Sequence, residues 1–311
     1  MDQIAPPPIA PERITEAHAA IAPYIRRTPV IETDGAVLKL ECLQHAGSFK
    51  PRGAFWHLLT REVPEAGLVA ASGGNHGAAV AYAAAQLGHR ARIFVPELAS
   101  PAKIALIRRL GGEVVVTGAA YADALRAADA CQAETGALSL HAYDAAETVE
   151  GQGTVAREFE CQADLDTILI AVGGGGLIAG AAAWLHGRVK LVAVEPETAC
   201  CFHAARQAGQ PQDVEVSGLA ADSLGARRLG TLCHGLSAHI AESLLVSDAE
   251  IAEAQRWCWQ ALNLAVEPGG AAALAALRAG RYAPAAGERV GVVMCGANVG
   301  LATLDALNGP S

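Results

Sequence analysis

Lysine is scarce in this chain. Among 311 residues it occurs only at Lys39, Lys50, Lys103 and Lys190, so arginine carries most of the positive charge. A lysine used for its chemistry must come from those four. Paired cysteines are missing too: none of the eight forms a C-x-x-C pair or a Cys/His zinc spacing. Cys200 and Cys201 are adjacent, which suits neither a structural bridge nor a metal cage. Reduced thiols in a cytoplasmic protein are the simplest reading. No apolar run reaches the length of a membrane span without Gly, Pro or a charge. The proline-rich start, Met1 to Pro11, lacks the basic and apolar regions of a secretory signal. A net charge of -9 opposes nonspecific binding to nucleic acid or to an anionic membrane.

What is present is a strongly apolar chain, 52% hydrophobic, long enough for two lobes or one large α/β domain. Short β-branched runs alternate with alanine-rich helical stretches, which predicts an α/β fold on mainly parallel strands. Helices are expected over Glu12–Ile25, Pro51–Arg61, Asn75–Leu87, Pro101–Leu110, Tyr121–Thr135, Thr148–Glu160 and 177–186. A last one runs to Leu264 with Asp248 as its cap. Strands are expected at Val37–Leu40, Leu68–Ala71, Ala91–Val95, Val114–Val116, Thr167–Val172, Lys190–Val194 and Arg289–Met294. The stretch Gln207–Leu245 resists assignment, and there is no internal repeat.

Five segments can carry chemistry. Gly47-Ser48-Phe49-Lys50-Pro51-Arg52-Gly53 puts a lysine at the mouth of a helix, beside an aromatic ring. Partial desolvation there would lower its pKa and free the neutral amine for Schiff-base formation. Alone, the segment reads equally as a surface lysine at a turn. Ser72-Gly73-Gly74-Asn75-His76-Gly77 links a strand to a helix, where free backbone N–H groups suit a carboxylate. It reads equally as a glycine-rich turn capped by asparagine. Gly173-Gly174-Gly175-Gly176 follows a strongly apolar strand and could cradle a phosphate. It is not a Walker A loop, and Ile178 replaces the third glycine of a dinucleotide fingerprint. Glu195, about twenty residues on, keeps a nucleotide reading open. Glu267-Pro268-Gly269-Gly270-Ala271 and Met294-Cys295-Gly296-Ala297-Asn298 are each bland alone: a Pro-Gly turn, and a small buried thiol at a strand end.

In this order, together with Arg27-Thr28-Pro29, Leu38-Lys39-Leu40-Glu41, His141–Asp144 and Gly151-Gln152-Gly153-Thr154, the segments resemble the fold-type II pyridoxal-phosphate (PLP) enzymes. The resemblance is to the serine/threonine dehydratase (threonine ammonia-lyase) group, which also contains serine racemase. It implies a tryptophan synthase β-like α/β fold with the cofactor in a cleft between two lobes. The large lobe would comprise 1–66 and 144–311, and the small one 67–143. It implies a lyase that converts L-threonine, L-serine or a bulkier β-hydroxy amino acid (phenylserine, 3-hydroxyaspartate) to a 2-keto acid and ammonia. Lys50 would carry PLP as a Schiff base and act as base on the substrate's α-carbon. Phe49 would pack on the ring, and Asn75 would bond the 3-hydroxyl oxygen. Gly173, Gly174, Gly175 and Gly176 would hold the phosphate, Cys295 would face the pyridine nitrogen, and Glu267 would lie near the ring. Ser72, Gly73, Gly74, Asn75 and His76 would grip the substrate carboxylate. A homodimer is implied as well.

Three departures refine these expectations. Racemases of the group carry a second serine where this chain has Gly73, so little racemisation is expected. Metal-activated relatives pair a glutamate with an acidic residue six positions later; Glu195 has Cys201 there, so no tight divalent site is expected. The chain ends soon after Cys295, so feedback control through an appended regulatory domain is not expected. A nucleotide-dependent oxidoreductase would leave Lys50 unexplained, and a non-catalytic relative would have no reason to keep it.

Overall fold

The structure, a computed structural model, describes residues 9–300; most of the proline-rich start lies outside the described residues. In chain order the first part forms α1 (Pro11–Ile21), β1 (Val30–Thr33), β2 (Ala36–Lys39), α2 (Pro51–Thr60), β3 (Leu68–Ala71) and α3 (Asn75–Gln86). Next come β4 (Ala91–Val95), α4 (Pro101–Arg109), β5 (Glu113–Val116), α5 (Tyr121–Thr135), β6 (Leu138–Ser139) and α6 (Ala146–Glu160). Then follow β7 (Thr167–Ala171), α7 (Gly176–Leu185), β8 (Lys190–Pro196), α8 (Cys201–Ala208), α9 (Ala221–Leu224) and α10 (Thr231–Gly235). The last elements are β9 (Glu242–Val246), α11 (Asp248–Leu262), α12 (Pro268–Arg278) and β10 (Val290–Val293).

Two sheets organise these elements. The middle of the chain makes a four-stranded sheet, β5-β4-β3-β6, parallel throughout. Strands from both flanks make a six-stranded sheet, β1-β2-β10-β7-β8-β9, in which only β1 and β2 are antiparallel. Parallel strands need cover on both faces. β7 and β10 are buried at every position, and α12 packs across β7, β8, β9 and β10. α7 is apolar almost all round because it is enclosed, with Leu177, Ile178, Ala182 and Leu185 buried. No helix among the described residues is long and apolar enough to cross a membrane.

Several elements differ from the sequence expectation. The first helix stops at Ile21 rather than Ile25: Ala22 still has helical angles, but Pro23 has no N–H to continue the helical hydrogen bonds. The cap of α11 is Ser247, not Asp248: its hydroxyl accepts from Glu250 N while the Glu250 carboxylate accepts from Ser247 N. The unassigned stretch holds α9, α10 and the edge strand β9.

Beneath α2 lies a buried knot of four charges. Arg52 donates to both carboxylate oxygens of Glu41, at 2.8 and 2.7 Å, and to Glu158 at 3.1 and 3.3 Å. Lys39 Nζ donates to Glu158 at 2.5 Å and to the Thr28 carbonyl at 2.7 Å. None of the four charged residues is more than 3% exposed. Two cations and two anions cancel, and the fork of Arg52 satisfies both carboxylates.

Burial pushes the Glu158 carboxyl up, but Arg52 and Lys39 outweigh it and hold it below its usual range. The Glu158→Ala variant should lose about 3–5 kcal/mol in urea unfolding at neutral pH, because it strands two buried cations. Glu158 binds its proton less readily folded than unfolded. Its contribution is therefore present above the unfolded carboxylate range of about 4.3 and lost as pH falls through the folded value. The gap between wild type and variant should close in acid; a gap constant down to that range would contradict the knot's role.

Candidate active site

Lys50 lies between a 3-10 turn at His45–Gly47 and α2, where Pro51 occupies the first turn. The segment before it is zipped to the loop after β10. Phe49 N donates to the Cys295 carbonyl at 3.2 Å, Ala297 N donates to the Gly47 carbonyl at 2.8 Å, and Ser48 bridges Gly296. Two of the five sequence segments are thereby brought together. Lys50 Nζ lies 5.2 Å from the Phe49 ring centroid and donates to the Ala142 carbonyl at 2.7 Å. Desolvation lowers its pKa to about 8, partly offset by Cys295 and Glu267. An amine in that range is substantially neutral just above physiological pH, unlike an ordinary surface lysine.

Asn75 opens α3 and reaches across to the second half of the chain. Its Nδ2 donates to Glu267 Oε1 at 2.5 Å, and its Oδ1 accepts from Asn298 Nδ2 at 2.7 Å. Glu267 is buried just before α12, and burial raises its pKa to about 7, with the Asn75 bond opposing. His76 Nε2 lies 2.9 Å from the Leu140 carbonyl, which makes it the protonated nitrogen of a neutral ring. Burial, with Lys50 adding to it, lowers the His76 pKa to about 3. Ser72 Oγ accepts from Gly74 N at 3.2 Å and shapes the loop. A Cβ at Gly73 would come 3.3 Å from Ala99, and one at Gly74 3.6 Å from the Asp222 carbonyl. Cys295 is buried, and burial keeps its thiol protonated; the S–H donates to the Gly269 carbonyl at 3.2 Å.

Gly173–Gly176 runs from β7 into the N-terminus of α7, with Gly175 left-handed at φ 95°. No protein acceptor takes the Gly173, Gly174 or Gly175 N–H among the described residues. Only glycine fits at position 174, because a Cβ there would overlap the ring of Tyr143. From behind, Cys201 donates to the Gly173 carbonyl at 3.1 Å, and Gly230 N donates to the Gly174 carbonyl at 3.0 Å. Glu195 accepts from Phe202 N and His203 N, both at 2.8 Å, and so caps α8. Burial raises its pKa to about 8. A ribose-binding role for Glu195 is set aside, because its oxygens are taken up by the helix.

These groups fit pyridoxal phosphate. The cofactor needs an amine that deprotonates readily, and Lys50 is one. It needs donors for a phosphate, and open N–H groups stand at a helix N-terminus. It needs a donor toward its ring, and Asn75 Nδ2 keeps a second hydrogen without a protein acceptor among the described residues. Three contributors had no role assigned from sequence: Tyr143 over the glycine loop, the Ala142 carbonyl on Lys50, and Asn298 on Asn75. Tyr143 and Asn298 lay within motifs already noticed; the Ala142 carbonyl has no side-chain signal at all.

Comparison with known proteins agrees with this geometry. The family model described as "Pyridoxal-phosphate dependent enzyme" matches residues 21–296. The phenylserine dehydratase of Ralstonia pickettii is 37% identical over 305 residues, covering 93% of both chains. The structure of maize serine racemase superposes with a TM-score of 0.89 at 32% identity, covering 96% of both chains. The serine racemase of Dictyostelium discoideum gives a TM-score of 0.86 at 29% identity, covering 94% of this chain and 99% of that one.

Imine formation at Lys50 should therefore follow its lowered pKa. Trapping an aldehyde with borohydride across a pH series should label Lys50 with a midpoint near 8, against about 10.4 for an ordinary lysine. Peptide mapping reads the site. Label spread over Lys39, Lys103 and Lys190, or a midpoint at that ordinary value, would remove the physical basis for singling out Lys50.

Proposed function

The chain belongs to the pyridoxal-phosphate-dependent enzyme family, and from that membership we propose that it is an ammonia-lyase taking a β-hydroxy amino acid to a 2-keto acid and ammonia. The observation that carries the reading is the Lys50 amine, buried in a cleft beside the neutral thiol of Cys295 and the Glu267 carboxyl, whose pKa burial raises to about 7. Bound pyridoxal phosphate supplies an electron sink for the bond that breaks at the substrate's α-carbon. In this reading Lys50 carries the cofactor and then takes up the α-proton on Nζ, which burial keeps from permanent protonation. Phe49 packs on the ring, Asn75 donates to its 3-hydroxyl oxygen, and Glu267 lies near it. Gly173, Gly174, Gly175 and Gly176 hold the phosphate. Ser72, Gly73, Gly74, Asn75 and His76 hold the substrate carboxylate through the loop's backbone N–H groups and the start of α3.

Cys295 is assigned to the ring nitrogen. A neutral thiol cannot keep that nitrogen protonated as a carboxylate would, so charge arriving at the α-carbon is weakly stabilised. Expulsion of the β-hydroxyl discharges it: the C–O pair leaves with oxygen as the α-proton passes to Lys50. The enamine released then takes up water and loses ammonia. Racemisation needs an acid on the face opposite Lys50, and Gly73 offers none.

L-threonine and L-serine are the substrates of the first reading. Similarity to a phenylserine dehydratase over 93% of the chain supports a second, in which the β-substituent is bulkier. 3-Hydroxyaspartate belongs with that second group. We also propose that residues 67–143 act as a small lobe closing on 1–66 with 144–311 and excluding water. Lys103 on α4 pairs with Asp222 on α9 across that boundary. A cytoplasmic homodimer completes the proposal, and the eight free cysteines support a reducing compartment.

Keto-acid release from L-serine, L-threonine, phenylserine and 3-hydroxyaspartate should be clear for at least one, and Lys50→Ala should abolish it. D-serine formation should be minor. Turnover that survives in Lys50→Ala, or racemisation as fast as elimination, would overturn the assignment.

A further inference from the structure

Asn298 reaches back to the turn that leads into Lys50. Its Nδ2 donates at once to the Ala46 carbonyl at 2.8 Å and to Asn75 Oδ1 at 2.7 Å, using both hydrogens. A backbone carbonyl can only accept, so Ala46 fixes which end of the Asn298 amide is the donor. Ala46 presents that carbonyl from a left-handed conformation, φ 58° and ψ 13°, which is strained for a non-glycine residue. The next residue must be glycine: Gly47 has φ 74°, and a Cβ there would overlap Asn298 Oδ1. Strained backbone of this kind clusters at functional sites.

The consequence falls on Asn75. An asparagine amide is close to symmetric in shape, and its two ends exchange by a half-turn about one bond. With Oδ1 held by the donor of Asn298, Nδ2 must point the other way, to Glu267 and the cleft. Without Asn298 nothing on that side distinguishes the two orientations. The flipped amide would set a carbonyl oxygen against the Glu267 carboxyl and against any oxygen arriving from a ligand.

We infer that Asn298 is a positioning residue: it locks the Asn75 amide so that N–H donors, not the carbonyl, face the cleft. The inference rests on the cofactor reading of the site, because the ligand oxygen served by Asn75 is that of the pyridoxal ring. Both Nδ2 hydrogens of Asn298 are spent on Ala46 and Asn75, so its donors act on the cleft through Asn75. The two residues therefore form one unit, and substitutions in a unit do not add.

The test is a double-mutant cycle on the holoenzyme, with Asn75→Ala, Asn298→Ala and both together. Dissociation constants for pyridoxal phosphate and the visible spectrum of the bound cofactor are read for each, beside thermal unfolding without cofactor. Asn298→Ala should weaken binding about ten- to a hundred-fold, the worth of one hydrogen bond to a charged group. It should also shift the visible band in the same direction as Asn75→Ala, and the double variant should match Asn75→Ala. Asn298→Asp, which turns the donor into an acceptor, should be at least as damaging. Additive losses would mean that Asn298 only supports the loop, and unchanged binding and spectrum in Asn298→Ala would remove its role. Both outcomes overturn the inference while the cofactor reading stands. A wild-type protein that takes up no pyridoxal phosphate would overturn the reading and the inference together.

Discussion

The position of Lys50 depends on a charge cluster that never meets substrate. Arg52 is two residues further along the same helix, fully buried, and forked between Glu41 and Glu158. Guanidinium so deep is tolerable only if both carboxylates are in place, and each is anchored elsewhere. Glu41 follows β2, and Glu158 belongs to α6, where Lys39 and Thr28 also bind it. The knot therefore fixes the first turn of α2 relative to the sheet and to α6 at once. α6 begins just after the 141–145 loop, which supplies the Ala142 carbonyl to Lys50. Amine and acceptor are thus held by the same four charges.

A second constraint is electrical. Every titratable group around Lys50 is pushed toward its neutral form, and burial is the first cause each time. The amine falls to about 8, the His76 imidazole to about 3, the Glu267 carboxyl rises to about 7, and the Cys295 thiol rises further. With these charges weakened, fixed dipoles stand beside them to hold charged ligands: the open N–H groups of Gly173–Gly175, the start of α3 and the Asn75 amide. Such dipoles need no counter-ion and do not reorganise when a proton moves. The arrangement suits a reaction in which one proton leaves the α-carbon and a phosphate and a carboxylate stay bound throughout.

Much of this was legible in the sequence because the signals are local. Leu68–Ala71, Ala91–Val95 and Tyr121–Thr135 match their elements residue for residue, since β-branched runs and alanine-rich periods carry both ends. Ser247-x-x-Glu250 was a readable capping box, yet the neighbouring aspartate drew the cap. The stretch 207–245 was opaque for a different reason: its anchors are remote. Asp144 binds Thr231 N and Leu232 N, Ser223 Oγ takes Gly269 N, and Asp248 takes Leu219 N. No window of sequence contains such pairs. The site divides in the same way. Lys50, Asn75 and the glycine run stand in motifs with their own turn chemistry. The Ala142 carbonyl, the ring of Tyr143 over Gly174, and the grip of Asn298 on Asn75 exist only after distant loops meet.

That remote stretch also bears on which substrate the cleft prefers. Ser223 ties α9 to the start of α12, the Gly74 loop lies against the Asp222 carbonyl, and Lys103 pairs with the Asp222 side chain. α9 therefore touches the Ser72–Gly77 loop, the Glu267 turn and helix α4 beside the four-stranded sheet at the same time. A four-residue helix held from three sides has little freedom to adapt one contact without disturbing the others. Changes there should be felt in the Ser72–Gly77 loop, the Glu267 turn and α4 together. Gly73 faces Ala99 and Val95 and no polar group, so the rim of the Ser72–Gly77 loop gains shape but no acid. Discrimination by shape is worth only about 1–3 kcal/mol per methylene, whereas a missing acid removes a reaction branch outright. On the function proposed above, such a cleft sets the reaction type more firmly than the substrate.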